Sequence, residues 1–435
     1  MPRQMAHSPA QSLWADTAPA AYEADRLEGP FGCDVAIVGA GFTGLRAALA
    51  LAEAGTRVAV FEAGAVGHGA SGRSGGQVNP LLPVARPGDL RRAVGPVHFE
   101  RLARASLGSA DALFTLVRDY QIDCQARQCG WLRADHSPKA RQSARAAAKA
   151  WIPFGLEAEE VEGDTVTDLS GSPLYRSGLV LPRGGAVQPL ALVRGLARAA
   201  TQAGAKIYES TRVTGLSRGA GGWTVTLGKT QVTADSVILA TNGYSDGLLP
   251  GLRTTLLSLS PIQMATGPLP QALLDEILPQ GHTIADTRRC IIYARREPGG
   301  QLVFGGIGRR DRHGRYRGFA ALEREAYRVF PQLRGQPWQR RWGGQIAVTQ
   351  DRIPHFYEPQ TGLFAGLGYN GRGVALSLVM GAELAKRALG APAEDLVFPR
   401  TEMSAMPFHG LQSRGAAMAL AWMRFRDGLE LARGR

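Results

Sequence analysis

Cysteine is scarce. Cys33, Cys124, Cys129 and Cys290 are the only four, and they show neither CxxC spacing nor a paired histidine pattern. This argues against a zinc site or a disulfide framework and leaves free thiols and no metal as the expectation. Lysine is nearly absent: Lys139, Lys149, Lys206, Lys229 and Lys386 are all there are, so the 50 basic residues are mostly arginine. No apolar run reaches the roughly 18 residues that a membrane span needs. The first 20 residues lack the continuous apolar core of a signal peptide, so with no address a cytoplasmic location is expected. No basic cluster is interleaved with aromatics, which argues against a nucleic-acid partner despite a net charge of +13. The densest basic stretch, Arg309–Arg315, reads as a solvated loop, with an anionic partner as the second reading. No long internal repeat is visible.

What is present suits a two-domain globular chain: 435 residues, 44% of them hydrophobic, and 55 glycines, many in short runs. Asp34–Val38 reads as a short buried strand, Gly44–Ala54 as a helix stopped by Gly55, and Arg57–Phe61 as a second strand, together one βαβ unit. Helices are predicted at Ser109–Asp119, Ala140–Trp151, 190–203 and Gly373–Leu389. Trp223–Leu227 with Gln231–Thr233, and Ile291–Tyr293 with Leu302–Phe304, read as hairpins. Lys206–Tyr208, Val237–Ala240 and Leu363–Leu367 read as further strands, and Ala416–Arg433 as a helix with mixed faces. Nucleotide-type segments thus recur early, in the middle and late. The predicted class is α/β: a discontinuous Rossmann-like domain (31–85, 186–245, 345–400) and an inserted α+β substrate domain with a mainly antiparallel sheet (86–185, 246–344). An arm (1–30) and a tail (401–435) flank them.

The first chemical signal is Gly39-Ala-Gly41-Phe42-Thr43-Gly44, a GxGxxG between strand and helix. Its first glycine permits the tight turn, its second admits a pyrophosphate, and its third lets helix and strand pack closely. Amides and the helix dipole then stabilise the phosphate charge. A lone GxGxxG is weak. Here Ala48 on the packed face, Gly55 at the helix end and the Val58/Val60 alternation agree with it. Glu62 ends the second strand 23 residues after Gly39, placed to accept ribose hydroxyls and to disfavour a 2′-phosphate. The turn alone does not separate FAD from NAD. The polar Gly67–Gln77 segment that follows suits a backbone ribbon along a flavin.

Glu62-Ala63 followed by GHGASGRSGGQVN resembles the D-amino-acid oxidase-like FAD enzymes, in their glycine/sarcosine oxidase branch, over about Ser12 to Gly390. The resemblance implies non-covalent FAD held by Gly39, Gly41, Phe42, Thr43, Gly44, Glu62, Ala63, Ser71, Gly72, Arg73, Gly76 and Gln77. It adds Val213 near the adenine, Thr241 and Asn242 after a middle strand, and Gly368, Asn370, Gly371, Arg372, Gly373 and Val374 beneath the flavin. Ile122–Gln125, Asp286–Arg288, Trp342–Gly344 and Gly368–Gly373 are similar to signatures of the gamma-glutamylputrescine and L-pipecolate oxidising branches. Two positions depart from the sarcosine pattern. Residues 342–356 hold no cysteine for a covalent flavin link, and Ala375 stands where a substrate-binding lysine is usual.

The implied reaction is oxidation of an amine to an imine, with hydride passing to flavin N5. The substrate would be a gamma-glutamylated polyamine or, alternatively, a cyclic imino acid; a flavin-dependent nucleic-acid-modifying role is the reading from another class. Arg73, Arg352 and Arg372 are candidates to meet a carboxylate. Tyr293 could face the flavin and Trp342 could wall the substrate, each against a plain core role. Arg73, Tyr293 and Arg372 are the catalytic candidates. His68 could act as a base or be a loop histidine. No lysine falls in 256–266, where oxidases carry one near the flavin. Oxygen is the expected acceptor, with an electron carrier as the alternative.

Overall fold

The structure, a computed structural model, describes residues 12–84, 86–407 and 409–433; residues 1–11 of the expected arm lie outside them. Two eight-stranded sheets organise the chain. In the first, Phe31–Val38 is central because it is almost wholly apolar and can be covered on both faces. It pairs in parallel with Thr230–Leu239 on one side and Val58–Phe61 on the other. Leu363–Leu367 and Lys206–Tyr208 extend the parallel part, and His355–Gln360 closes one edge antiparallel. Val38 stands opposite both Leu239 and Phe61. Three strands therefore end together, and the glycine turn follows there. The helices Pro189–Gln202 and Gly373–Ala388 pack on Phe42–Glu53.

The predicted strands Gln231–Thr233 and Val237–Ala240 are one strand, Thr230–Leu239. Its first half alternates buried and exposed residues and pairs with Gly222–Leu227. Its second half is buried throughout and pairs with Leu363–Leu367. The pattern changes where the strand passes from a one-sided ribbon into the covered sheet.

In the second sheet, neighbouring strands run in the order Trp338–Gly343, Pro261–Thr266, Leu302–Ile307, Tyr293–Arg296, Thr283–Asp286, Trp131–Ala134, Ser177–Leu181 and Glu159–Glu162. Every pairing is antiparallel except that of Thr283–Asp286 with Trp131–Ala134. The architecture is the expected one, a Rossmann-like sheet with a second, mainly antiparallel one.

Three local findings differ from expectation or extend it. Arg309–Arg315 is not a plain loop. Arg309–Arg310 pairs with Tyr316–Arg317, because Asp311 accepts hydrogen bonds from the His313 and Arg315 amides and from the Arg315 and Arg317 guanidiniums. Leu13–Thr17 is a short helix, with the Ser12 hydroxyl accepting from the Ala15 amide. It buries Trp14 completely. The C-terminal helix runs His409–Arg433. Among the described residues, no helix is long and apolar enough to cross a membrane.

Candidate active site

The glycine turn and the second sheet face each other across a cleft of about 2190 Å³. Single-ligand pockets are usually about 300–1,000 Å³, so this one has room for a cofactor and a substrate together.

The nucleotide end is built from the first sheet. The helix Phe42–Glu53 begins at Gly41, which offers no side-chain cap. Ser71 Oγ accepts from the Phe42 amide at 3.0 Å. Gly44 has no room for a side chain: a Cβ there would lie 2.0 Å from the Gly39 carbonyl oxygen. Helix and strand close up at that point, and the helix N-terminus opens onto the cleft, which Gly39, Gly41, Phe42 and Thr43 line. Glu62 is pinned from both sides, Oε2 accepting from the Ala40 amide and Oε1 from the Gly64 amide, each at 2.9 Å. Burial lifts its carboxyl above the ordinary range, partly offset by those two amides. An N-terminal helix end beside a fixed carboxylate fits the pyrophosphate and ribose of a dinucleotide.

The other wall draws Gln263, Tyr293 and Ala285 from one register row of the second sheet. Trp342, Gln263, Gly305, Tyr293, Ala285 and Arg133 stand opposite one another on six successive strands, so they share a face. That face carries the ribbon 73–77. Gln263 and Trp342 both donate to the Arg73 carbonyl, at 2.7 and 3.1 Å. Gln77 Nε2 donates to the carbonyls of Ile284 and Ala294. Arg295 Nη1 donates to those of Gly76 and Val187, each at 2.8 Å. Gln263 Oε1 is buried with no hydrogen-bond partner among the described residues while Gln263 lines the cleft, an acceptor for a bound group. Burial pushes the Tyr293 phenol far up, so it stays a neutral hydroxyl.

The anticipated residues divide. Ala63, Ser71, Gly76, Gln77, Val213, Thr241, Asn242, Asn370, Gly371, Arg372, Gly373 and Val374 line the cleft with Glu62 and the glycine turn. Tyr293, His68 and Arg352 line it too, Arg352 exposed at the rim. Gly44, Gly72, Arg73, Gly368 and Trp342 are not part of the described lining. Gly72 packs against the Gly67 carbonyl, and the Gly368 amide donates to Asn242 Oδ1 at 3.0 Å. Arg73 is buried, with its Nε donating to the His68 carbonyl at 2.7 Å. Its side chain secures the ribbon rather than reaching for a substrate carboxylate. The Trp342 indole is spent on the same ribbon.

Several lining or supporting residues are not singled out by the sequence, although Tyr369 lies within the Gly368–Gly373 motif. Tyr369 is buried and its hydroxyl meets Thr43 Oγ1 at 2.6 Å. Trp14 donates from Nε1 to the Ser74 carbonyl at 2.9 Å, and the Arg295 guanidinium sits 4.8 Å from its ring centroid. The Arg372 guanidinium lies over Trp131. Neither Arg372 nor Arg133 forms an ion pair among the described residues. Burial and the neighbouring Arg133 charge bring Arg372 down to about 9, and burial also lowers Arg133. Gly415, Ala419, Leu420 and Met423 bring the C-terminal helix to the cleft. That helix is anchored by Asp427 and Glu430, both bound to Arg289 at 2.8 Å, with His136 beside Glu430. His136, Asp427 and Glu430 have the spacing of metal ligands, but Arg289 already sits on both carboxylates.

The family described as FAD dependent oxidoreductase, DAO, matches residues 34–387. A probable oxidoreductase, OrdL, of Haemophilus influenzae is 31% identical over 363 residues, covering 82% of this chain and 83% of that protein. Gamma-glutamylputrescine oxidoreductase of Escherichia coli K12 is 30% identical over 420 residues, 93% of this chain and 95% of that one. The crystal structure of glycine oxidase from Geobacillus kaustophilus superposes with a TM-score of 0.69 at 21% identity, covering 87% of this chain and 98% of that chain. The chain belongs to the DAO family of FAD-dependent oxidoreductases. FAD is its cofactor, bound non-covalently as is usual in the family; no cysteine is among the described residues lining the cleft.

Proposed function

We propose that the chain oxidises the C–N bond of an amine that also carries a carboxylate, a gamma-glutamylputrescine-type substrate. The observation that carries this is Arg372, a buried guanidinium that lines the cleft with Tyr293 and forms no ion pair among the described residues. The likeness to the Escherichia coli enzyme over nearly the whole of both chains supports it. The residues proposed to hold the nucleotide are Gly39, Gly41, Phe42, Thr43, Glu62 and Val213; Thr241, Asn242 and Asn370 to Val374 lie toward the flavin. Segments 31–85, 186–245 and 345–400 would form the cofactor part, and 86–185 and 246–344 the substrate part.

Bound FAD supplies the two-electron oxidant for the C–H bond next to the nitrogen. The protein's share is positioning. Arg372 takes the carboxylate, with Trp131 as a platform and the Arg133 charge nearby. Tyr293 and Gln263 offer a neutral donor and an acceptor on the wall. Glu62 and Asp246 are the acidic residues among the described lining, and neither belongs to the second sheet. An ammonium therefore finds no counter-ion on that wall, which favours the neutral amine whose lone pair assists hydride loss. No lysine is among the described lining residues either, so oxygen and an electron carrier both stand as acceptors.

Anaerobic mixing with an amine panel tests this. Gamma-glutamylputrescine should bleach the flavin absorbance. Bleaching by L-pipecolate alone would choose the cyclic-substrate reading, and bleaching by NADH alone would overturn the amine assignment. Repeating the turnover with oxygen and with an artificial acceptor decides between oxidase and dehydrogenase.

A further inference from the structure

The C-terminal helix has two faces of opposite character. Its inner face holds Asp427 and Glu430 on Arg289 and brings Ala419 and Met423 to the cleft. Its outer face is apolar and open to water. Met418, Trp422, Phe425 and Leu429 recur at helical spacing along it, with Trp422 61% and Phe425 56% exposed. The Trp422 and Phe425 rings stack with centroids 5.7 Å apart, so the stripe is continuous. Apolar patches of this kind on a surface mark contact with something else.

A basic hairpin lies on a flank of the same helix. Arg424, about a third of a turn around from the stripe, donates to the Ile307 carbonyl at 2.5 Å, and the hairpin Arg309–Arg317 starts two residues further on. That hairpin carries Arg309, Arg310, Arg312, Arg315 and Arg317 against Asp311 alone. An aromatic and aliphatic stripe beside concentrated arginine charge, on a chain of net charge +13, matches the composition of helices that lie in the headgroup region of a membrane.

We propose that this face docks on an anionic lipid bilayer. The Met418–Trp422–Phe425–Leu429 stripe enters the boundary between headgroups and acyl chains, and the 309–317 hairpin rests on the lipid phosphates. Charge favours this occupant over a second copy of the chain. A twofold pairing centred on the stripe would bring two arginine hairpins together, and like charges repel. The contact is interfacial, since no described helix can span a bilayer. Docking would leave the inner face of the helix at the cleft.

Flotation of the holoenzyme with vesicles tests the proposal, one set mixing phosphatidylglycerol with phosphatidylcholine and the other pure phosphatidylcholine. The protein should float with the anionic vesicles and stay behind with the neutral ones. Trp422→Ser/Phe425→Ser and, separately, Arg309→Glu/Arg312→Glu should each weaken flotation by roughly tenfold or more, as loss of buried apolar area or basic charge requires. Both should retain flavin absorbance and turnover, which shows that they fold. No flotation with anionic vesicles at low salt overturns the proposal, as does flotation unchanged in both variants. A holoenzyme dimer that Trp422→Ser/Phe425→Ser disperses, without flotation, would assign the stripe to a second copy instead.

Discussion

Arg372 and Trp131 meet across the two sheets: the guanidinium carbon lies 4.5 Å from the centroid of the indole ring. Arg372 follows the strand Leu363–Leu367 of the first sheet, while Trp131 opens a strand of the second. Arg133, two residues on, shares the face of Trp131. Asp135 partly balances Arg133, but Arg372 forms no ion pair among the described residues and lines the cleft, so a ligand carboxylate is its natural partner. Arg372→Met should therefore raise KM for a carboxylate-bearing amine by about 10- to 100-fold, the value of a hydrogen bond to a charged group. An amine of the same length without the carboxylate should lose little. Trp131→Leu should cost about 0.5–2 kcal/mol of binding through the lost cation–π contact. Anaerobic flavin-bleaching titrations with the two amines measure both, and equal losses for both amines would remove the carboxylate role.

Arg295 and Glu297 form a second buried pair, at 2.8 Å between Nη2 and Oε2. The same guanidinium holds the Gly76 and Val187 carbonyls. Both side chains are almost fully enclosed, so the pair cannot be opened toward water. Glu297→Gln leaves the arginine charge stranded and should destabilise the fold by about 3–5 kcal/mol. Chemical denaturation followed by tryptophan fluorescence measures it. Because Arg295 also secures the ribbon 73–77 at Gly76, beside the proposed cofactor site, the variant should also lose FAD at lower denaturant than the parent.

The parts of this site legible in the sequence are those written in consecutive residues. Gly39 to Gly44, Glu62 at its fixed distance and the Gly368–Gly373 turn all fall within single strand–turn–helix units, where spacing alone determines geometry. The wall opposite is different. Gln263, Tyr293 and Arg133 share a face only through the pairing of strands far apart in the chain, and no local pattern encodes that register. Arg73 and Arg372 looked alike, each an arginine inside a glycine-rich motif. They are told apart by their surroundings: the His68 carbonyl claims Arg73, while the Arg372 guanidinium lies over the Trp131 ring and forms no ion pair among the described residues. Trp14 lies in a segment with no periodicity, so its burial depends on the Ser74 and Arg295 contacts. The C-terminal helix itself was legible, but not which face turns to the cleft.

Glu62 gives a pH prediction for cofactor binding. Ionised, it can accept from the ribose hydroxyls as well as from the Ala40 and Gly64 amides. Burial raises its pKa in the cofactor-free chain, and binding favours the charged form. FAD affinity is thus full above that raised pKa and falls as pH drops through it, at a higher pH than the ordinary glutamate value of about 4.3 would give. Glu62→Gln should bind FAD about 10- to 100-fold more weakly at neutral pH, again the scale of a charged hydrogen bond. It should also show no such acid step. Reconstitution of apoprotein followed at the flavin absorbance from pH 7 to 4 measures both. A step that survives in Glu62→Gln would place the titrating group elsewhere.

Glu430 sets a different window. The Arg289 guanidinium, against a smaller opposing effect of burial and with help from His136, holds its carboxyl down to about 2 from the usual 4.5. A carboxylate whose pKa is depressed by folding stabilises the fold fully above its unfolded value and loses that contribution as pH falls toward the folded one. The affected contact is local, tying the C-terminal helix to the turn at Arg289, with Asp427 on the same arginine and Arg426 close by. Protection of amides in 409–433 from hydrogen exchange should accordingly be high at pH 5 and decline between about 4.5 and 2 before the central strands open. Glu430→Gln should lower that protection already at pH 5 and flatten its decline with acid. If the helix instead exchanges together with Phe31–Val38 at every pH, the Arg289 contact does not govern its release.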